Sequence, residues 1–125
     1  MLKKAIHSFV PALIWLLIIV VGSFMSSSNV PSIAISDKGI HFIFYAIFAI
    51  LLYIPLRVNT KRSFSIVTTV VLVIVIGFVL GSVIELVQHH LIVGRFGEYL
   101  DLLANTTGLL IGVIISEVLY RKVVL

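Results

Sequence analysis

Four apolar runs, separated by short polar segments, dominate the chain. They cover roughly residues 5–24, 38–56, 64–89 and 100–120. Each is close to the ~20 residues a helix needs to cross ~30 Å of hydrocarbon. Lipid offers an open backbone no hydrogen-bond partner, so each run is predicted to be a helix. The pattern therefore predicts an all-α, polytopic membrane protein: one four-transmembrane-helix bundle over residues 1–125. The first run follows Lys3 and Lys4, as the apolar part of a signal peptide would. It is longer than the usual ~7–15 residues, and no A-x-A site follows, so it reads as a retained span. The Ser-rich stretch 25–36 with Pro31, the basic stretch 57–63, and 90–99 with Gly94 and Gly97 read as loops. Ser36 or Asp37 is placed to cap the second helix. No internal sequence repeat is apparent.

Composition sharpens the class. Hydrophobic residues make up 61% of the chain and charged residues 11%, against about 25% charged in soluble domains. The absence of cysteine excludes disulfides and thiolate metal sites. The net charge of +4 is no nucleic-acid signal, because the basic residues stand at the ends of the apolar runs. Seven of the nine, Lys3, Lys4, Arg57, Lys61, Arg62, Arg121 and Lys122, fall on one side of the membrane. Lys38 and Arg95 fall on the other. The positive-inside rule then predicts a multi-pass protein of the cell membrane with both termini and the central loop cytoplasmic. His7 falls at the inner interface, and Trp15, deep in the first run, reads as packing.

Polar residues inside spans are costly and need partners. Here they keep helical spacing. Asp37, His41 and Tyr45 share one face of the second helix, Glu85, Gln88 and His89 one face of the third, and Asp101 and Asn105 one face of the fourth. At ~1.5 Å per residue from the inner ends, His41 lies ~24 Å outward, Tyr45 ~18 Å, Glu85 ~32 Å, Asn105 ~24 Å and Asp101 ~30 Å. Three helices thus deliver polar groups to one level, which predicts a shared pocket near the outer surface. Gly77 and Gly81 continue the Glu85 stripe, and Gly108 and Gly112 continue that of Asp101 and Asn105. Both pairs have the G-x-x-x-G spacing that lets helices approach closely. The simplest arrangement packs the third and fourth helices against each other along these stripes.

The ordered set Asp37-Lys38-x-x-His41-x-x-x-Tyr45, Gly81-x-x-x-Glu85-x-x-Gln88, Arg95, and Asp101-x-x-x-Asn105-x-x-Gly108-x-x-x-Gly112 resembles the VanZ-like family. The match spans three of the four predicted helices, and the first carries no family signature. The founding member is associated with resistance to the glycopeptide teicoplanin in Gram-positive bacteria. The resemblance implies a bacterial envelope protein and supplies no reaction.

Each candidate has a functional and a structural reading. Glu85 is either a proton acceptor or ligand contact, or the partner of Arg95 or Lys38. His41 is either a general base beside Glu85 or an interhelical strut. Tyr45 and Gln88 read as interhelical hydrogen bonds. Arg95, with Lys38, is the natural contact for a phosphate or carboxylate, or else a partner for Asp101, Glu98 or Glu85. Asp101 suits a helix N-terminus, and Asn105 needs Gln88 or His41. Glu117 pairs with Arg121 one turn on. Without HExxH or comparable spacing, no metal is expected, and no cofactor motif is present. The leading expectation is an outer pocket formed by Asp37, Lys38, His41, Tyr45, Glu85, Gln88, Arg95, Asp101 and Asn105. It would bind an envelope lipid, a lipid-linked wall precursor or a lipoglycopeptide. The alternatives are an enzyme using His41 and Glu85 on a lipid-linked substrate, or a purely structural or partner-binding protein.

Overall fold

The computed structural model describes residues 8–25, 36–58, 64–92 and 98–124. These form four helices: α1 (Val10–Phe24), α2 (Asp37–Val58), α3 (Ile66–Leu91) and α4 (Tyr99–Val124). Among the described residues, α2, α3 and α4 are long and apolar enough to cross a membrane, and α1 is a shorter apolar helix of 15 residues. The sequence placed the start of the first span at residue 5, which lies outside the described residues.

Local chemistry sets the helix starts. Pro11 opens α1, where its missing N–H costs nothing. Ser36 Oγ accepts from Gly39 N at 3.2 Å, so Ser36 rather than Asp37 caps α2. Ser65 Oγ accepts from Thr68 N at the start of α3. Hydroxyls within the spans turn back on their own helix. Ser82 donates to Phe78 O, Thr106 to Leu102 O and Ser116 to Gly112 O. This satisfies them without a partner helix or water.

The core is apolar, with Phe48, Tyr53, Val73 and Leu109 buried, and most of the outer surface is apolar as well. Leu17, Val67 and Leu86 are 61% or more exposed, while Glu85, Gln88, Asp101, Asn105, Thr69 and Ser116 are buried. Large apolar side chains outside and polar ones inside fit a chain whose solvent is lipid.

The tightest pair is α2 and α4, which run parallel. Gly108 faces the Phe42 carbonyl, and Gly112 faces the Ala46 carbonyl and Ala49 Cβ, leaving no room for a side chain at either glycine. Here the structure corrects the sequence reading, because the Gly108/Gly112 stripe packs on α2, not on α3. The α3 glycines do face α4, Gly77 against the Leu109 side chain and Gly81 beside Asn105 and Leu102, but they meet side chains and not glycine backbone. On α2 the small residues Ala46 and Ala49 supply the flat surface that Gly108 and Gly112 need. Helix α1 attaches through Trp15, whose Nε1 donates to Phe44 O at 2.9 Å and whose ring meets Phe44 edge-on.

Candidate functional site

The parallel pairing of α2 and α4, with α3 antiparallel to both, brings the N-terminal turns of α2 and α4 to the C-terminal turns of α3. His41 sits at the centre. Its Nδ1 lies 2.9 Å from Asn105 Oδ1. An amide oxygen accepts, so Nδ1 carries the hydrogen. Nδ1 is also 4.0 Å from Glu85 Oε1, and Nε2 is 3.9 Å from Asp101 Oδ2. One imidazole thus lies between carboxylates from two other helices.

Lys38 Nζ sits 2.6 Å from Glu98 Oε2 and 2.7 Å from Asp101 Oδ1. Asp101 Oδ1 makes no well-aligned hydrogen bond, so its contact with Lys38 is an ion pair of close charges. Glu85 accepts from Glu98 N through Oε2 at 3.1 Å, while its buried Oε1 has no hydrogen-bond partner. Tyr45 Oη is likewise buried and unbonded. Buried polar atoms without partners carry a desolvation cost, and three of the four such side-chain atoms among the described residues, Tyr45 Oη, Glu85 Oε1 and Asp101 Oδ1, lie in this cluster.

Of the residues singled out from the sequence, Lys38, His41, Glu85, Asp101 and Asn105 meet directly, and Tyr45 joins them beside Gly81. Asp37 contributes an exposed carboxylate. Its ligand atom, with one each from His41 and Asp101, forms a set within 4.8 Å of one another. The expectation of no metal came from spacing along the chain, and these ligand types come from two helices. Gln88 turns elsewhere, because its Nε2 donates to Ser23 O of α1 at 2.6 Å. Arg95 lies outside the described residues. Lys38 is held by two carboxylates and not by Glu85, which changes its reading as an anion contact. The sequence reading gave Glu98 only a minor part as a partner for Arg95. Its position just ahead of a helix start was the available signal.

An open groove of about 370 Å³ runs beside this cluster between α3 and the start of α4. Leu86, Leu102 and Tyr99 give it an apolar wall, while Glu85, Glu98 and His89 give it a polar one.

A second polar cluster lies at the opposite end of the α2–α4 pair. Tyr53 Oη donates to Glu117 Oε2 at 2.6 Å, Arg121 Nε donates to Glu117 Oε1 at 2.8 Å, and Arg57 Nε stands 3.7 Å from Oε2. Arg57 also covers the Tyr120 ring at 4.5 Å. The Arg121 contact follows from i, i+4 spacing on one helix, whereas Tyr53 and Arg57 reach Glu117 from α2 and carry no such local signal.

Apolar helices with a polar interior cluster define a multi-pass α-helical membrane protein. The model of the VanZ/LLP1 family matches residues 4–120, and the chain belongs to that family. No curated protein matches the chain, and no solved structure does.

Proposed function

We propose that this VanZ-like protein spans the cell membrane four times with both termini cytoplasmic, and binds an amphiphilic envelope molecule at its outer end. The groove beside Glu85 carries the reading. It joins an apolar wall to a buried carboxylate with an unbonded oxygen. Such a site suits a molecule with acyl and polar parts: an envelope lipid, a lipid-linked wall precursor or a lipoglycopeptide. Polar atoms of the ligand would meet the wall of Glu85, Glu98 and His89, with Arg95 the remaining candidate for an anionic group. Altered access to the precursor or the drug would then connect the protein to glycopeptide resistance.

The basic residues support the orientation, and the parallel course of α1 with α3 supports four crossings. That course follows from the Gln88 contact with Ser23, which joins the C-terminal ends of the two helices. An enzymatic reading through His41 and Glu85 has less support. The two groups are 4.0 Å apart without a hydrogen bond, and Nδ1 is taken by Asn105. The test is native mass spectrometry of the purified protein, followed by teicoplanin susceptibility of cells carrying Glu85→Gln. The reading expects a co-purifying amphiphile, lost together with any resistance phenotype in Glu85→Gln at normal abundance. A protein that never retains one would overturn it.

A further inference from the structure

We propose that Asp37, His41 and Asp101 form a binding site for a divalent transition metal, with zinc the best fit. Their ligand atoms lie within 4.8 Å of one another. A tetrahedral zinc site with nitrogen and oxygen ligands at ~2.0–2.2 Å sets those ligands roughly 3.4 Å apart. Asp37 is exposed at the first turn of α2 and free to close that gap by rotation, while the other two residues are held in place.

The contacts of His41 turn one ring nitrogen toward the site. Nδ1 donates to Asn105 Oδ1, which leaves Nε2 as the ring atom without a hydrogen bond. Nε2 faces Asp101 Oδ2 at 3.9 Å. An imidazole nitrogen and a carboxylate oxygen from two helices, both turned to one point, are the ligand types a zinc ion takes. The Nδ1–H to amide-oxygen bond is the kind of outer contact that orients a metal-binding histidine. Asp101 divides its oxygens, Oδ1 to Lys38 and Oδ2 to the histidine, so the ion pair leaves one oxygen for the metal.

Glu85 adds negative charge on the other side of the ring. It is 8% exposed, and its Oε1 has no hydrogen bond and is directed at the same imidazole from the Nδ1 side. Among the described residues the cluster holds four carboxylates, Asp37, Glu85, Glu98 and Asp101, around the single ammonium of Lys38. A bound dication would offset that excess and strengthen the Nδ1–H donor to Asn105. One imidazole with two carboxylates favours zinc over calcium and magnesium, which take all-oxygen sites, and over Cu(I), which takes sulfur.

The experiment is zinc titration of the chelator-treated, detergent-purified full chain by calorimetry, with metal counted per chain and cobalt substitution read by its ligand-field absorption. Wild type is expected to take one zinc per chain. Asp37→Asn, an exposed change, is expected to bind roughly tenfold or more weakly with unchanged helical content, and Asp101→Asn likewise if it folds. His89 and His90, stacked edge-on and exposed at the end of α3, are the obvious adventitious site. The double variant His89→Gln/His90→Gln is expected to bind as wild type. No stoichiometric zinc in wild type, wild-type affinity in Asp37→Asn, or loss of binding in the His89/His90 variant would each overturn the proposal.

Discussion

His41 and Asn105 are joined across 2.9 Å, and this contact fixes the register of α2 on α4. Tyr53 and Glu117, at the far end, are bonded at the same sequence separation of 64. Equal separations at two points mean that the helices run parallel and in step over about 18 Å of axis. The glycine stripe between these contacts lets the two backbones lie close enough for both bonds to form. Two polar clamps therefore bracket an apolar, close-packed seam.

Removing the His41–Asn105 clamp is expected to destabilise the bundle. Asn105 is 1% exposed, and Asn105→Ala leaves the His41 Nδ1–H without its acceptor. The expected loss is about 1–2 kcal/mol, toward the upper end of interhelical hydrogen bonds in bilayers because a buried donor is stranded. A double-mutant cycle of His41→Ala and Asn105→Ala in a refolding assay checks it. A coupling energy near zero would mean that the contact holds nothing.

The glycines rank by what surrounds them. Gly108→Ala and Gly112→Ala drive a methyl group into α2 backbone and are expected to cost about 1–3 kcal/mol each. Gly77→Ala meets only the movable end of Leu109 and is expected to cost less. Gly22→Ala meets nothing within 4 Å and serves as the neutral control. Thermal stability in detergent reads the order, and a Gly77 variant weaker than both α4 variants would contradict the packing described.

Breaking the Lys38 pair should matter more than at an open surface. Lys38→Met leaves Asp101, 5% exposed, facing His41 without its ammonium. The Lys38 side chain is 39% exposed, so solvent screens part of the effect. A loss of roughly 1–3 kcal/mol is expected, between surface and buried pairs. Lys38→Met combined with Asp101→Asn should recover part of it. If the double variant is as weak as the two losses added, the pair is not coupled.

Much of this architecture was legible in the sequence. Apolar runs mark the helices because only a helix satisfies its backbone in lipid. The level shared by His41, Glu85, Asp101 and Asn105 followed from rise per residue and i, i+4 spacing. The partner of each glycine stripe was not legible. G-x-x-x-G states that a backbone can approach, and the identity of what approaches depends on side chains elsewhere, here Phe42, Ala46 and Ala49. Lys38 had three carboxylates within plausible reach, and only the register of α2 on α4 selects Glu98 and Asp101 over Glu85. The signal for Tyr53 is its place two turns from Tyr45 on the i, i+4, i+8 ridge of α2, a spacing that marks it as facing inward.

Orientation in the membrane can be tested without background, because the chain has no cysteine. Ser27→Cys and Thr60→Cys place single thiols in the chain between α1 and α2 and between α2 and α3. In intact cells a membrane-impermeant maleimide is expected to label Ser27→Cys and to label Thr60→Cys only after permeabilisation. The reverse pattern would invert the topology and put the polar cluster at the cytoplasmic face.

The amphiphile groove is tested most directly by filling it. Leu86 lines the groove and is 61% exposed, while Val79, two turns away along α3, is 53% exposed and outside it. Native mass spectrometry of wild type, Leu86→Trp and Val79→Trp, purified identically, compares retained amphiphile per chain. The account predicts a bound molecule in wild type and Val79→Trp and its loss in Leu86→Trp. Equal retention in all three would show that bound lipid sits elsewhere on the bundle and contradict the assignment.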